Sequence, residues 1–530
     1  MAVDYAVIVL YLAGLLVMGW WGMRRARSKS DFLVAGRRLG PAMYSGTMAA
    51  IVLGGASTIG GVGLGYQYGL SGAWLVFTIG FGLLALSVFF SARISRLRVY
   101  TVAQMLDLRY GGSAATVSAV VMWAYTLMLA VTSTIAYATI FDVIFGIDRV
   151  AAIALGGAVV ICYSALGGMW SITLTDMAQF AVQTVGVLLL LLPIAVVKAG
   201  GFAQMAAELP DDYFSPMSIG AQTVFTYVLI YSFGMLIGQD IWQRVFTARS
   251  DRVARLGGTA AGTYCLAYAV AGAVIGTAAR VLHPDLADPD EAFAVIVDQA
   301  LPVGLKGLVL AAALSAVMST SSGALIACAT VANNDLWARL RGRAAEARGE
   351  GAGREEVRGN RVFILLMGLA VVAVSVALND VVEALTVAYN LLVGGLLVPI
   401  LGGLLWKRGT ATGALAGIAA GGVTVVASMA WNGILADEPI YYGLLASLAA
   451  HVLVSLATRP TDPAVLAAWQ QRVTGAGAAG ADPAGAPGAA PAAAAPAAAA
   501  GTPHATTSAS AADPTAPASA PVPPPRKDTR

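Results

Sequence analysis

The run Ala316-Val317-Met318-Ser319-Thr320 sets two hydroxyls side by side, with the Ala316 carbonyl one helical turn earlier. Hard cations take oxygen ligands, and neutral hydroxyls and carbonyls suit a monovalent ion, so this run is a candidate cation site. The same residues have a structural use, because Ser and Thr in membrane helices hydrogen-bond the carbonyl four residues back. A second stretch, Gly54 to Gly65, holds six glycines in twelve residues around Ser57 and Thr58. Each glycine weakens a helix by about 1 kcal/mol relative to alanine. In lipid such a break is tolerated only where it lines a buried cavity, although glycines also serve close helix packing. Unwinding there would free the carbonyls of Ala56 and Ile59 toward Ser319 and Thr320. A third stretch, Tyr231 to Gln239, is interrupted by Gly234 and Gly238.

Two interrupted apolar segments in corresponding positions of two halves point to a solute site near the membrane midplane. The groups on offer for a solute are Ser57, Thr58, Tyr231, Gln239, Tyr389 and Asn390. Hydroxyls, amides and aromatic faces suit a neutral, zwitterionic or quaternary-ammonium solute, the last through cation–π contact. Neither interrupted segment carries Lys or Arg in its core. A monocarboxylate stays possible if a bound ion and half-helix N-termini hold it. Ordinary packing or interface anchoring is the other use of each aromatic.

The elements that must position these groups are membrane helices. Of 530 residues, 58% are hydrophobic and 12% charged, against about 25% charged in soluble domains. Apolar runs of about 18 or more residues read as spanning helices. They fall at roughly 4–23, 42–68, 72–92, 115–144, 151–168, 176–197, 219–243, 258–281, 304–337, 362–378, 382–405, 410–431 and 440–458. The expected fold is therefore an all-α polytopic membrane protein with about thirteen transmembrane helices. Helices 2 and 7 are broken, and two inverted five-helix repeats cover spans 2–6 and 7–11. The first helix is read as retained, since its positive cluster, Arg24 to Lys29, follows the apolar stretch.

With the N-terminus outside, 28 basic residues fall on the cytoplasmic side and only Arg149, Lys198, Arg280 and Lys306 on the other. The positive-inside rule thus places the N-terminus outside and the C-terminus in the cytoplasm. Residues 1–459 form the transmembrane domain. Residues 460–530 read as a disordered cytoplasmic tail, because the Ala/Pro-rich stretch Gly475 to Pro525 cannot bury a core. The net charge of +3 is too small to suggest nucleic acid. Cys162, Cys265 and Cys328 show no metal spacing, and the three histidines form no constellation with a nucleophile, which speaks against an enzyme.

Several motifs resemble the sodium:solute symporter family, whose members include proline, galactose and choline carriers. Ala316 to Thr320 is similar to its ion-site helix, and Ala56-Ser57-Thr58-Ile59 to the partner segment in its broken helix. Tyr163 to Gly168, continuing through Thr175-Asp176 to Gln179, resembles its Gly-Gly and T-D-x-x-Q signature. Gln243-Arg244 and Trp406-Lys407 resemble two further motifs. The resemblance covers residues 28–420 and implies Na⁺-coupled uptake of a small organic solute by alternating access. It implies a Na⁺ site of Ala56, Ile59, Ala316, Ser319 and Thr320, and an ion-release role for Asp176. The competing use of Thr175-Asp176 is a helix N-cap. Departures from the family branches, such as Gly234-Met235 and Thr58, prevent transfer of a substrate. Na⁺ is expected over H⁺ because Gly54–Gly65 and Ala316–Gly323 contain no titratable residue. The alternative is an uncoupled facilitator or a proton-coupled carrier of the same fold.

Overall fold

The structure, a computed structural model, describes residues 2–342, 354–378 and 381–475. Among them it is helical, with one isolated bridge between Leu39 and Ala248 and no strand. The elements around the site are α1 (Ala2–Met23), α2 (Pro41–Val52), α3 (Gly61–Tyr68), α4 (Trp74–Ala85), α5 (Gly112–Phe145), α6 (Met169–Gln183), α7 (Ala221–Ile237), α8 (Gln239–Val245), α9 (Asp251–Leu282), α10 (Leu305–Val331), α11 (Val381–Leu405) and α12 (Pro463–Thr474).

Among the described residues eleven helices are long and apolar enough to cross a membrane, or twelve if α7 and α8, bent by 44°, make one span. The expected thirteen differs because the spans expected at 42–68 and 72–92 join in one continuous run of helical turns, Ala56–Arg96, 41 residues long. At 1.5 Å per residue it is about twice as long as a hydrocarbon core is thick. It turns sharply at Gly69, whose φ is +61°, so that Gly72 packs against the backbone of Leu64 and Gly65.

Helix α10 is the hub. Of its apolar window 94% is buried, and it packs against α1, α2, α5 and α6. A helix apolar all round belongs in the middle of a bundle, and its Ala, Ser and Gly residues let neighbours approach closely.

Both expected breaks are present, but the first is narrower than the glycines suggest. Helix α2 begins with Pro41 in the first turn, where a missing N–H costs nothing. It ends at Val52, and Leu53 leaves the helical region (φ −90°, ψ 62°). Helix resumes at Gly55, through a π-turn at Ala56–Gly60, into α3. The downstream glycines serve packing instead. A Cβ on Gly65 would lie 2.6 Å from the Ala273 carbonyl oxygen of α9. In the other broken helix Gly238 departs from helical geometry (φ −58°, ψ 132°), and Trp242 Nε1 donates to the freed Leu236 carbonyl at 2.8 Å.

The stretch expected to be tail starts with a helix. Asp462 caps α12 by accepting from the Ala464 amide. Trp469 and Val473, four residues apart on one face, are buried, and Trp469 Nε1 donates to the Gly403 carbonyl at 3.1 Å. The remainder of that stretch, 476–530, lies outside the described residues.

Candidate functional site

The last carbonyls of a helix have no partner within it, and at the end of α2 they sit in a membrane interior. Side chains from three directions capture them. Ser319 Oγ donates to the Ala50 carbonyl at 2.8 Å, and Thr320 Oγ1 to the Ile51 carbonyl at 2.7 Å. Ser57 Oγ reaches the Val52 carbonyl at 3.1 Å, and Gln183 Nε2 reaches that of Leu53 at 3.2 Å. Ser319 and Thr320 also lie 2.9 and 3.4 Å from the Ala316 carbonyl. Five neutral oxygens are thus gathered at the α2–α10 contact: the carbonyls of Ala50, Ile51 and Ala316 and the hydroxyls of Ser319 and Thr320. All five residues are buried. That donor set fits a monovalent hard cation once the hydroxyl protons turn away and their lone pairs face inward.

The expected carbonyls of Ala56 and Ile59 are not the ones that meet Ser319 and Thr320. The chain breaks at Leu53–Gly54, so the freed carbonyls precede the break. Ala56 accepts from the Gly61 amide within the resumed helix, and Ile59 stands half-buried in the π-turn. Gly54 itself is needed for clearance, since a Cβ there would lie 2.5 Å from Thr320 Oγ1. Overpacking of this kind costs about 1–3 kcal/mol. Gly54→Ala is therefore expected to raise the Na⁺ requirement of uptake about tenfold, and an unchanged Na⁺ activation curve would count against the contact.

Asp176 is mid-helix in α6, which Gly168 opens, so the N-cap alternative is set aside. Its carboxylate is fully buried, accepts a hydrogen bond from Thr47 of α2 and pairs with Arg244 of α8 at 3.2 Å. Arg244, read from sequence as a cytoplasmic-loop charge, is equally buried and lies over Gly323 of α10. The ion pair joins α6 to α8, the Thr47 hydrogen bond adds α2, and Gly323 leaves the guanidinium room against α10.

A cavity of about 50 Å³ opens beside the ion cluster, lined among others by Val52, Ser57, Thr320, Tyr231, Asp240 and Tyr389. One water needs about 10–15 Å³ of such space, so entry of a solute requires the walls to part. Of the six solute-site candidates, Ser57, Tyr231 and Tyr389 line this cavity. Thr58 turns to Tyr268 of α9, with their oxygens 3.0 Å apart. Gln239 is spent on the chain at 100–102, accepting from the Val102 amide and donating to the Tyr100 carbonyl. Asn390 is buried with neither amide atom bonded and lies outside the cavity lining.

The sequence reading missed Asp240. Its carboxylate is buried on the cavity wall and accepts from Tyr125 at 2.9 Å. An ionisable residue within a membrane span is itself a functional signal. Its signal in the sequence is its place inside the apolar run 219–243, apart from the glycine and hydroxyl stretches.

The sodium:solute symporter family model matches residues 32–421. The sodium/proline symporter of Staphylococcus aureus strain JH9 is 27% identical over 472 residues, covering 83% of this chain and 88% of the relative. That of strain NCTC 8325 / PS 47 gives the same figures. Among solved structures, a substrate-bound, outward-open Na⁺-coupled sialic acid symporter superposes with a TM-score of 0.77 at 17% identity. The match covers 87% of this chain and 98% of that one. These matches and the broken-helix architecture define a secondary transporter rather than an enzyme. The chain belongs to the sodium:solute symporter family.

Proposed function

We propose that this protein carries a small organic solute into the cell together with Na⁺. The ion sits among the oxygens of Ala50, Ile51, Ala316, Ser319 and Thr320, and the solute occupies the adjoining cavity. The observation that carries this reading is the capture of the α2 carbonyls by the hydroxyls of α10, a neutral oxygen cluster at a helix break. Thr320 belongs to both the cluster and the cavity wall, so an ion held there changes the wall that a solute meets. That shared residue gives coupling a physical route. The bacterial cytoplasmic membrane, with the N-terminus outside and two inverted repeats rocking about the site, completes the reading. Residues 476–530 form a cytoplasmic tail in it.

At about −100 mV a monovalent cation gains roughly 2.3 kcal/mol on entry, and a tenfold gradient adds about 1.4. One Na⁺ could thus sustain roughly 500-fold accumulation of a neutral solute. Asp240 and Asp176, buried carboxylates in the core, favour proton coupling as a second reading. Uptake into energised vesicles separates the two. Na⁺ coupling requires uptake to fail when K⁺ replaces Na⁺ and to persist with a protonophore while the Na⁺ gradient is held. Uptake that survives Na⁺ removal and collapses with the protonophore assigns the proton instead.

A further inference from the structure

Within the cavity the charges do not balance. Arg244 is the guanidinium beside the two buried carboxylates, and its ion pair is with Asp176. Asp240 feels that guanidinium at longer range, without an ion pair, and its backbone carbonyl accepts from Arg244 at 3.4 Å. The Asp240 carboxylate accepts from the Tyr125 hydroxyl and from the backbone amides of Asp240 and Ile241, hydrogen bonds that partner it without neutralising its charge. A buried charge without an ion-pair partner is costly unless a counter-charge joins it. Among the described residues lining the cavity none is Lys or Arg.

Opposite charge is also what the rings favour. Tyr231 and Tyr389 both line the cavity, with centroids 5.4 Å apart and planes at 69°. Tyr125 continues the series, 5.7 Å from Tyr389 at 75°. Rings set nearly perpendicular form a corner, and a corner of aromatic rings attracts ammonium groups through the ring quadrupole. Gly234 makes the corner possible, because a Cβ there would lie 2.5 Å from the Tyr389 ring. Carboxylate and corner come from α5, α7, α8 and α11, so they close on one small volume from several sides.

We propose that the cavity selects a solute bearing a positively charged amine, its cation held by the Asp240 carboxylate and the corner of Tyr231 and Tyr389. The proposal rests on the symport reading and narrows the solute to one charge class. An amine whose other end is a carboxylate remains compatible, since that end can face the Na⁺ beside Thr320.

The test uses the purified full chain in NaCl, scanned for thermal stabilisation with five probes. Choline, glycine betaine and proline carry an ammonium group; galactose is neutral and lactate is a monoanion. At least one ammonium probe is expected to raise the melting temperature saturably, and galactose and lactate are not. Asp240→Asn retains an acceptor for Tyr125 and should weaken that probe about tenfold or more. Tyr231→Leu should weaken it several-fold, whereas Tyr231→Phe, which keeps the ring, should not. If Asp240→Asn is not monodisperse, the Leu and Phe variants at Tyr231 carry the comparison. Stabilisation by galactose or lactate alone, or an unchanged affinity in Asp240→Asn or Tyr231→Leu, overturns the proposal. So does silence from all three ammonium probes when Na⁺ itself stabilises the protein. Absence of any Na⁺ effect would instead strike the symport reading beneath it.

Discussion

Ser319→Ala and Thr320→Ala should each raise the Na⁺ concentration for half-maximal uptake by roughly 10- to 100-fold, with the protein still inserted. Each substitution deletes one of five gathered oxygens. A hydrogen-bonding group that contacts a charge is worth about 1.5–3 kcal/mol, and about 1.4 kcal/mol is tenfold in affinity. Each also removes the cap on one α2 carbonyl, Ala50 or Ile51. The break at Leu53–Gly54 is then less well held, and the maximal rate should fall in addition. Ser322 provides the comparison. It is just as buried and on the same helix, but its hydroxyl bonds back to the Ser319 carbonyl within α10. Ser322→Ala should shift Na⁺ activation by less than about threefold. Uptake by radiotracer over a Na⁺ series at constant ionic strength reads all three. Normal Na⁺ activation in both Ser319→Ala and Thr320→Ala would remove the cluster from consideration.

The largest loss of stability should follow from parting Asp176 and Arg244. Both side chains are fully buried, and removing one partner of a buried pair costs about 3–5 kcal/mol, because the other charge is left uncompensated. Asp176→Ala strands a guanidinium between α6, α8 and α10. Arg244→Ala strands a carboxylate whose remaining side-chain bond is from Thr47. Either single variant should therefore yield much less monodisperse protein and lose transport. The neutral double variant, Asp176→Asn with Arg244→Gln, should recover a large part of the yield, since replacing both charges avoids the stranded ion. Fluorescence-detected size exclusion on the four proteins measures this. A double variant no better than the worse single one would show that the pair's value lies elsewhere than in mutual compensation.

Much of the architecture was legible from the chain. Low charge and recurring apolar runs made a helical membrane protein the expectation, and broken second and seventh spans followed from glycines placed beside polar residues. Legibility failed where one residue type serves two purposes. The glycines from Gly54 to Gly65 read as a long unwound stretch, but the break takes two residues, and Gly65 instead admits α9. That shift moved the freed carbonyls from Ala56 and Ile59 to Ala50 and Ile51. Alanine and isoleucine carbonyls carry no sequence signal, so only the position of the helix end identifies them.

Polar side chains were ambiguous for a similar reason. Ser57, Gln239 and Thr58 all read in sequence as neutral hydrogen-bonding groups open to a solute. In the fold one lines the cavity, one is satisfied by the chain at 100–102 and one turns to Tyr268. Arg244 looked like a member of the cytoplasmic basic set because it closes a span. Its pairing with Asp176, 68 residues away, depends on how α6 and α8 pack, which periodicity does not encode. Asp240 was different, since a carboxylate within a span was visible from the start.

Solute-free Na⁺ binding provides the most direct measurement. The melting temperature of the purified protein is followed as NaCl replaces KCl at constant ionic strength. Potassium is the replacement ion because an organic ammonium salt would itself compete for the Asp240 cavity. A ligand that binds only the folded state stabilises it by mass action. The wild-type midpoint should therefore rise saturably with Na⁺, and the rise should move to much higher Na⁺ in Ser319→Ala and Thr320→Ala. A midpoint indifferent to the exchange of K⁺ for Na⁺, or the same Na⁺ response in wild type and both variants, would contradict Na⁺ binding at this cluster.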